Sequence, residues 1–208
     1  MSQATFPKKP SDVCVRGRPR EFDMDSVLTE ASHTFWRHGY HATSIDDLCK
    51  ATGVLRGSLY GVFGDKRGIM LAALDHYADG SIARLCERLN ANLPPDEALR
   101  HALLHHTRVA SSLTGLRSCF ITNATLELSL EDAEVRERIE SIQRRIATLL
   151  AGAVIRGQAS GVFNSRLDEK SVADFLLCIT QGLRVLGKVK SDERELEAVV
   201  DIAMRALV

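Results

Sequence analysis

Apolar residues recur every three or four positions from about residue 25 to the end of the 208-residue chain. No stretch alternates apolar and polar residue by residue, as a half-buried strand does. The pattern predicts an all-α fold of about nine helices. The first covers about 25–37, with Leu28, Ala31 and Phe35 on one face. Two short helices follow, starting near Ser44 and Leu55 and separated by Gly53. A fourth, about 66–90, carries Ile69, Ala73, Tyr77, Ile82, Leu85 and Leu89 before Pro94 and Pro95 break it. The fifth to seventh are expected at about 95–113, 118–129 and 131–157, the last repeating Val135, Ile139, Ile142, Ile146, Leu149 and Val154. After a loop, helices at about 168–188 and 192–207 complete the chain.

Residues 39–63 hold the sharpest motif. Ser44 is placed to cap the second helix, and Asp47 three residues on can reach back to complete a capping box. Ile45, Leu48 and Ala51 fall on the inward face of that helix. Gly53 stands where a chain leaving a helix needs positive φ, and Val54 plugs the angle between the two helices. In the third helix Leu59, Val62 and Phe63 are expected inside, and Arg56, Gly57, Ser58 and Tyr60 outside. This spacing lets a second helix enter a DNA major groove. It also suits a plain helical hairpin, so periodicity alone leaves both readings open.

The surroundings of the turn resemble the DNA-binding domain of the TetR family of bacterial transcription regulators. Gly17-Arg18-Pro19-Arg20 precedes a helix with Ala31, Phe35 and Trp36. Then come Gly39-Tyr40, Ala42-Thr43-Ser44, the helix pair, Leu59-Tyr60, Phe63, Asp65-Lys66, and a helix opening with Leu71, Ala72, Leu74 and Tyr77. The match is detailed from residue 17 to 77 and architectural beyond it. It implies a three-helix head followed by a helical ligand-binding and dimerisation domain. The expected divisions are a basic flexible tail over 1–16, the head over 17–66 and the effector and dimerisation domain over 67–208. By resemblance, Thr43 and Ser44 meet phosphate, Arg56, Gly57 and Ser58 approach base edges, and Tyr60 and Lys66 reach the DNA backbone. Phe35 and Phe63 are core. One residue departs from the pattern: Leu55 stands where the family often has a Ser or Thr cap. The third helix must then be capped by Ser58 or by water. Gly57 and Gly61 cost it about 1 kcal/mol each relative to Ala, so it is expected to be soft until it meets DNA.

Charge qualifies this picture without reversing it. The 27 basic and 27 acidic residues cancel, but Lys8, Lys9, Arg16, Arg18 and Arg20 crowd the N-terminal segment against Asp12 alone. A basic arm on a neutral body attracts phosphate locally. Arg18 and Arg20 have the setting of an arm in an A·T-rich minor groove, and equally of a solvated tail. No segment is apolar enough to span a bilayer and residues 1–20 lack a signal-peptide core, so a cytoplasmic protein without membrane contact is expected. The five cysteines include no CxxC and suggest neither a disulfide framework nor a zinc site. The sequence lacks a phosphate loop, a nucleophile elbow and the paired Glu-x-x-His motifs of a di-metal bundle. An enzyme, a cofactor and a resident metal are therefore not expected.

The remaining expectations concern regulation. Phe175, Ile179, Leu183 and Leu186 of the eighth helix, with Leu196, Val199, Val200 and Ala203 of the ninth, could pair two copies in a four-helix bundle or face their own core. The resemblance implies a homodimer on a palindromic operator, a repressor released by a small-molecule effector. Candidate cavity residues are His105, His106, Val109, Cys119, Phe120, Asn123, Phe175 and Gln181, some of which could be core. Cys119, beside Arg117 at a helix start, offers an alternative as a redox or electrophile sensor, or is an inert small hydrophobe. His101 and His105 are spaced i, i+4, which suits either a metal pair or a solvated face.

Overall fold

Aspartate and serine side chains set most of the helix starts. Asp23 accepts the Asp25 N–H at 3.2 Å, Asp65 accepts the Gly68 N–H at 2.7 Å, and Asp168 accepts the Ser171 N–H at 2.8 Å. Ser44 and Asp47 form the capping box, with the Asp47 N–H on Ser44 Oγ at 3.1 Å and the Ser44 N–H on Asp47 at 3.0 Å. The computed structural model, which describes residues 23–111, 119–189 and 192–208, has nine helices and no strand among the described residues. They are α1 (Met24–His38), α2 (Ile45–Thr52), α3 (Arg56–Phe63), α4 (Lys66–Leu89), α5 (Pro95–Ser111), α6 (Phe120–Leu128), α7 (Ala133–Ala159), α8 (Glu169–Leu186) and α9 (Glu193–Arg205).

Two apolar clusters hold the helices together. The first joins Val27, Ala31 and Phe35 of α1, Leu48 of α2, Val54 in the turn and Leu59 of α3 to the N-terminal half of α4. It continues without a break into Phe120, Ile121 and Ala124 of α6 and Val135 and Ile139 of α7. The second packs Leu99 and Leu103 of α5, Leu150 and Val154 of α7, Leu176 and Leu183 of α8, and Leu196 and Val200 of α9. The three-helix head therefore has no core of its own sealed off from the body.

Three inward expectations fail. Val62 is 51 % exposed, Ala51 is exposed, and Leu28 is only half-buried while Val27 fills the core beside it. In an eight-residue helix packed on one side only, Leu59 and half-buried Phe63 already face the core, and Val62 points away from it. The dimer candidates also divide. Leu183, Leu196, Val200 and Ala203 are fully buried within their own chain and cannot meet a partner, whereas Phe175 (39 %) and Leu186 (40 %) are exposed and Ile179 and Val199 half-buried. Ile202, unselected from sequence, is 62 % exposed.

Candidate nucleic-acid interface and effector cavity

The α2–α3 turn is built as its residues dictate. Gly53 sits at φ 69°, ψ 9°, the left-handed conformation that a Cβ disfavours, and its N–H closes α2 on Cys49 O at 2.9 Å. Val54, 8 % exposed, fills the angle behind it. The chain re-enters a helix at Leu55, which is extended and has no side-chain cap, so Ser58 does not take the capping role. Along α3, Arg56, Gly57, Ser58, Tyr60 and Gly61 are exposed, and Leu59 alone is fully buried. A Cβ at Gly57 or Gly61 would meet nothing within 4 Å, so this face stands clear of the protein. Arg56 lies 2.8 Å from Asp46 of α2 with both side chains more than half exposed, a pair that costs little to exchange for another anion.

Behind the exposed helix, Lys66 and Glu127 fix the first turn of the head. Lys66 Nζ donates to the carbonyls of Tyr40 and Thr43, both at 3.0 Å, and lies 4.3 Å above the Tyr40 ring. Two of its three donors are spent inside the head, so the phosphate contact expected of Lys66 has the third to use. The phosphate role expected of Thr43 is corrected: Thr43 is 1 % exposed, and its hydroxyl donates to Gly39 O at 2.5 Å. Ser44 is exposed, but its hydroxyl donates to Asp47 at 2.6 Å within the capping box. Arg18 and Arg20 lie outside the described residues. Glu127 of α6 accepts the N–H groups of Tyr40 and His41, both at 2.9 Å, and so ties the body to the α1–α2 turn. Sequence gave no signal for Glu127, because its partners are backbone groups 86 and 87 positions away.

A second link runs from the start of α4 to the start of α7. Arg67 donates to both oxygens of Asp132, at 2.5 and 2.8 Å, and reaches Glu134 at 2.8 Å. Asp132 also caps α7 through the Glu134 and Val135 N–H groups. The Arg67 hydrogen bonds, helped by the backbone donors, hold its carboxyl far below the usual carboxylate range.

Among the described residues the body contains two cavities near the predicted effector candidates. The larger, about 770 Å³, opens between α1, α4, α5 and α8 and includes His105, His106 and Val109 in its wall. The smaller, about 30 Å³, lies deeper and is bordered by His106, Cys119 and Gln181. Phe120, Asn123 and Phe175 line neither. Phe120 is 2 % exposed in the core, Asn123 faces Lys188 at 3.4 Å, and Phe175 lies on the outer side of α8. Cys119 precedes α6, 2 % exposed, with the Tyr77 hydroxyl 4.0 Å from its sulfur. Arg117, its expected activator, lies outside the described residues. The larger cavity also takes in Trp36 of α1 and Arg84, Arg88 and Arg184, none of which the sequence marked as a cavity residue. No group of three or more metal-ligating side chains occurs among the described residues, and no described helix is long and apolar enough to cross a membrane.

Comparison with known proteins matches both halves of the chain. The family model described as "Bacterial regulatory proteins, tetR family" covers residues 27–73, and "Tetracyclin repressor-like, C-terminal domain" covers residues 97–203. The chain is 30 % identical over 195 residues to the HTH-type transcriptional repressor ComR of Escherichia coli K12, covering 91 % of each. It superposes with a TM-score of 0.80 and 30 % identity on the TetR family transcriptional regulator CifR, solved as a cysteine mutant with 26-bp operator DNA, over 91 % of this chain and 99 % of that one. The reduced form of E. coli NemR shares the fold, with a TM-score of 0.81 at 17 % identity over 88 % and 96 % of the two chains.

Proposed function

Because the chain belongs to the TetR family of DNA-binding transcriptional regulators, we propose that it is a homodimeric repressor which a small molecule releases from a palindromic operator. The observation that carries the DNA reading is the cleared outer face of α3, where Arg56, Gly57, Ser58 and Tyr60 stand exposed on a helix buried only at Leu59. Arg56 and Ser58 approach base edges, Gly57 lets the backbone come close, and the Tyr60 hydroxyl meets phosphate. Thr43 and Lys66 act from behind, by holding the α1–α2 turn that sets the angle of the reading helix. Arg18 and Arg20 precede α1 and extend the contact into the adjacent minor groove.

Two heads are needed, because one short helix reads too few bases for specificity. The second comes from a partner copy through the outer faces of α8 and α9, where Phe175, Leu186 and Ile202 remain exposed. Half-sites about 34–36 Å apart, one DNA turn, then fit only one spacing of the heads. A ligand in the larger cavity touches α1 of the head and α5 and α8 of the body together, so its binding free energy depends on that spacing.

Selection of genomic fragments by the purified protein tests this reading. The expected outcome is a set of fragments sharing an inverted repeat, with affinity falling by orders of magnitude between about 50 and 200 mM salt. Recovery of fragments with no common sequence, or binding indifferent to salt, would overturn it.

A further inference from the structure

The wall chemistry of the larger cavity points to a class of ligand. Arg84 and Arg88 of α4 and Arg184 of α8 converge on it, with His105 and His106 of α5 between them. Of the arginines that bridge helices elsewhere among the described residues, six sit on carboxylates: Arg56 on Asp46, Arg67 on Asp132, Arg100 on Asp201, Arg108 on Glu193, Arg138 on Asp75 and Arg145 on Asp79, while Arg156 donates to the Leu89 carbonyl. The three cavity arginines have no carboxylate partner among the described residues. Arg88 instead donates to the Arg84 carbonyl at 3.0 Å, and Arg184 donates to His106 Nδ1 at 3.2 Å. Asp79, the acidic side chain in the cavity wall, is already taken by Arg145 at 2.8 Å.

The imidazole completes a donor set. A guanidinium can only donate, so His106 accepts at Nδ1 and carries its proton on Nε2. Burial first, then the nearby Arg184 charge, hold His106 well below the ordinary imidazole range, and it is neutral at pH 7. Arg84 is exposed and Arg88 and Arg184 are half-buried, so each keeps donors for a bound anion, which gains paired N–H···O contacts with guanidiniums that hold no carboxylate. The lining also includes apolar and aromatic side chains, among them Trp36, Tyr77, Leu85 and Ala102. A volume of about 770 Å³ suits a small organic molecule.

We propose that this cavity binds an organic anion, its acidic head held by Arg184 and Arg88 and its apolar body laid against Trp36 and Tyr77. The inference takes its regulatory meaning from the effector reading above, but the anion site stands on its own geometry. Both α1 and α8 contact the occupant, so an anion that draws Arg184 toward the head changes the placement of head on body.

Trp36 is the single tryptophan of the chain and lies in the cavity wall, so its fluorescence reports occupancy directly. The full-length protein is titrated with octanoate, octane-1-sulfonate and 4-phenylbutanoate, and with 1-octanol and octylamine as uncharged and cationic controls. The anions are expected to bind at least about tenfold tighter than the alcohol, with octylamine weakest. Arg184→Gln and, separately, Arg88→Gln should each weaken anion binding by about tenfold and leave octanol binding within about twofold. Circular dichroism confirms that each variant is folded. Equal binding of acid and alcohol, no binding of any anion, or anion affinity unchanged in both variants would overturn the proposal. Operator affinity is followed in parallel by anisotropy on a selected fragment. Anion binding that depends on Arg184 but leaves operator affinity unchanged keeps the anion site and removes the effector reading. Release of DNA by octanol without anion preference does the reverse.

Discussion

At the residue scale, the side chains nearest the DNA face divide into those that present α3 and those that read through it. Lys66 belongs to the first group, since its ammonium fills the gap between the Tyr40 and Thr43 carbonyls. Lys66→Met keeps the aliphatic stem, strips the Thr43 carbonyl of its donor and leaves the Tyr40 carbonyl the Thr43 N–H at 3.3 Å. The expected cost is about 1.5–3 kcal/mol of stability, visible in denaturant unfolding, with a uniform loss of affinity for every sequence. Unchanged stability with the same DNA loss would return Lys66 to the phosphate role. Arg56 belongs to the second group, and its Asp46 partner is exposed enough to be given up. Arg56→Ala should leave stability within about 0.5 kcal/mol and relax base preference at particular operator positions in a binding-site selection.

At the scale of the element, α3 is the weak member of the head and the α4–α7 corner the strong one. Gly61 is exposed, has ordinary helical backbone, and its Cβ would meet nothing within 4 Å. Gly61→Ala is therefore expected to raise stability by about 0.5–1 kcal/mol in thermal unfolding, because it firms a helix with no side-chain cap. At the other corner, Arg67 holds Asp132 ionised at pH values where an unfolded chain would protonate it. A carboxyl depressed by folding contributes stability that is complete above its unfolded value of about 3.9 and is lost as pH falls further. Asp132→Asn should lower the melting temperature at pH 7 and flatten its decline from about pH 5 down to pH 2, measured by calorimetry. An acid limb as steep as that of the unaltered protein would show that the link carries no folding energy.

At the scale of the whole molecule, the head is an extension of the body. One apolar cluster runs from α1 through α4 to α6 and α7, and Glu127 adds a polar clamp on the same seam. Movement of the head must therefore repack that seam, which favours two discrete placements over a continuous swing. Dimerisation uses what the core leaves uncovered on α8 and α9. Phe175→Asp combined with Ile202→Glu should yield a folded monomer by sedimentation, with operator affinity lost by orders of magnitude. A variant that stays dimeric would place the interface elsewhere.

The amino-acid order by itself determined the local architecture: the nine helices among the described residues, the capping box at Ser44, the left-handed turn at Gly53 and the exposure of Arg56, Gly57, Ser58 and Tyr60 on α3. Each depends on neighbours within about four positions, where backbone geometry and side-chain capping act directly. Tertiary structure alone decided which apolar stripe residues on α8 and α9 stay outside, because helical period gives a face but not the partner that covers it. It alone turned Lys66 and Thr43 inward and set Glu127 on a turn more than eighty positions away. It also brought Trp36, Arg84, Arg88 and Arg184 to one cavity from three helices. Such convergence of side chains across the fold leaves no periodic trace in the chain, since it is written in packing between helices and not in spacing along them.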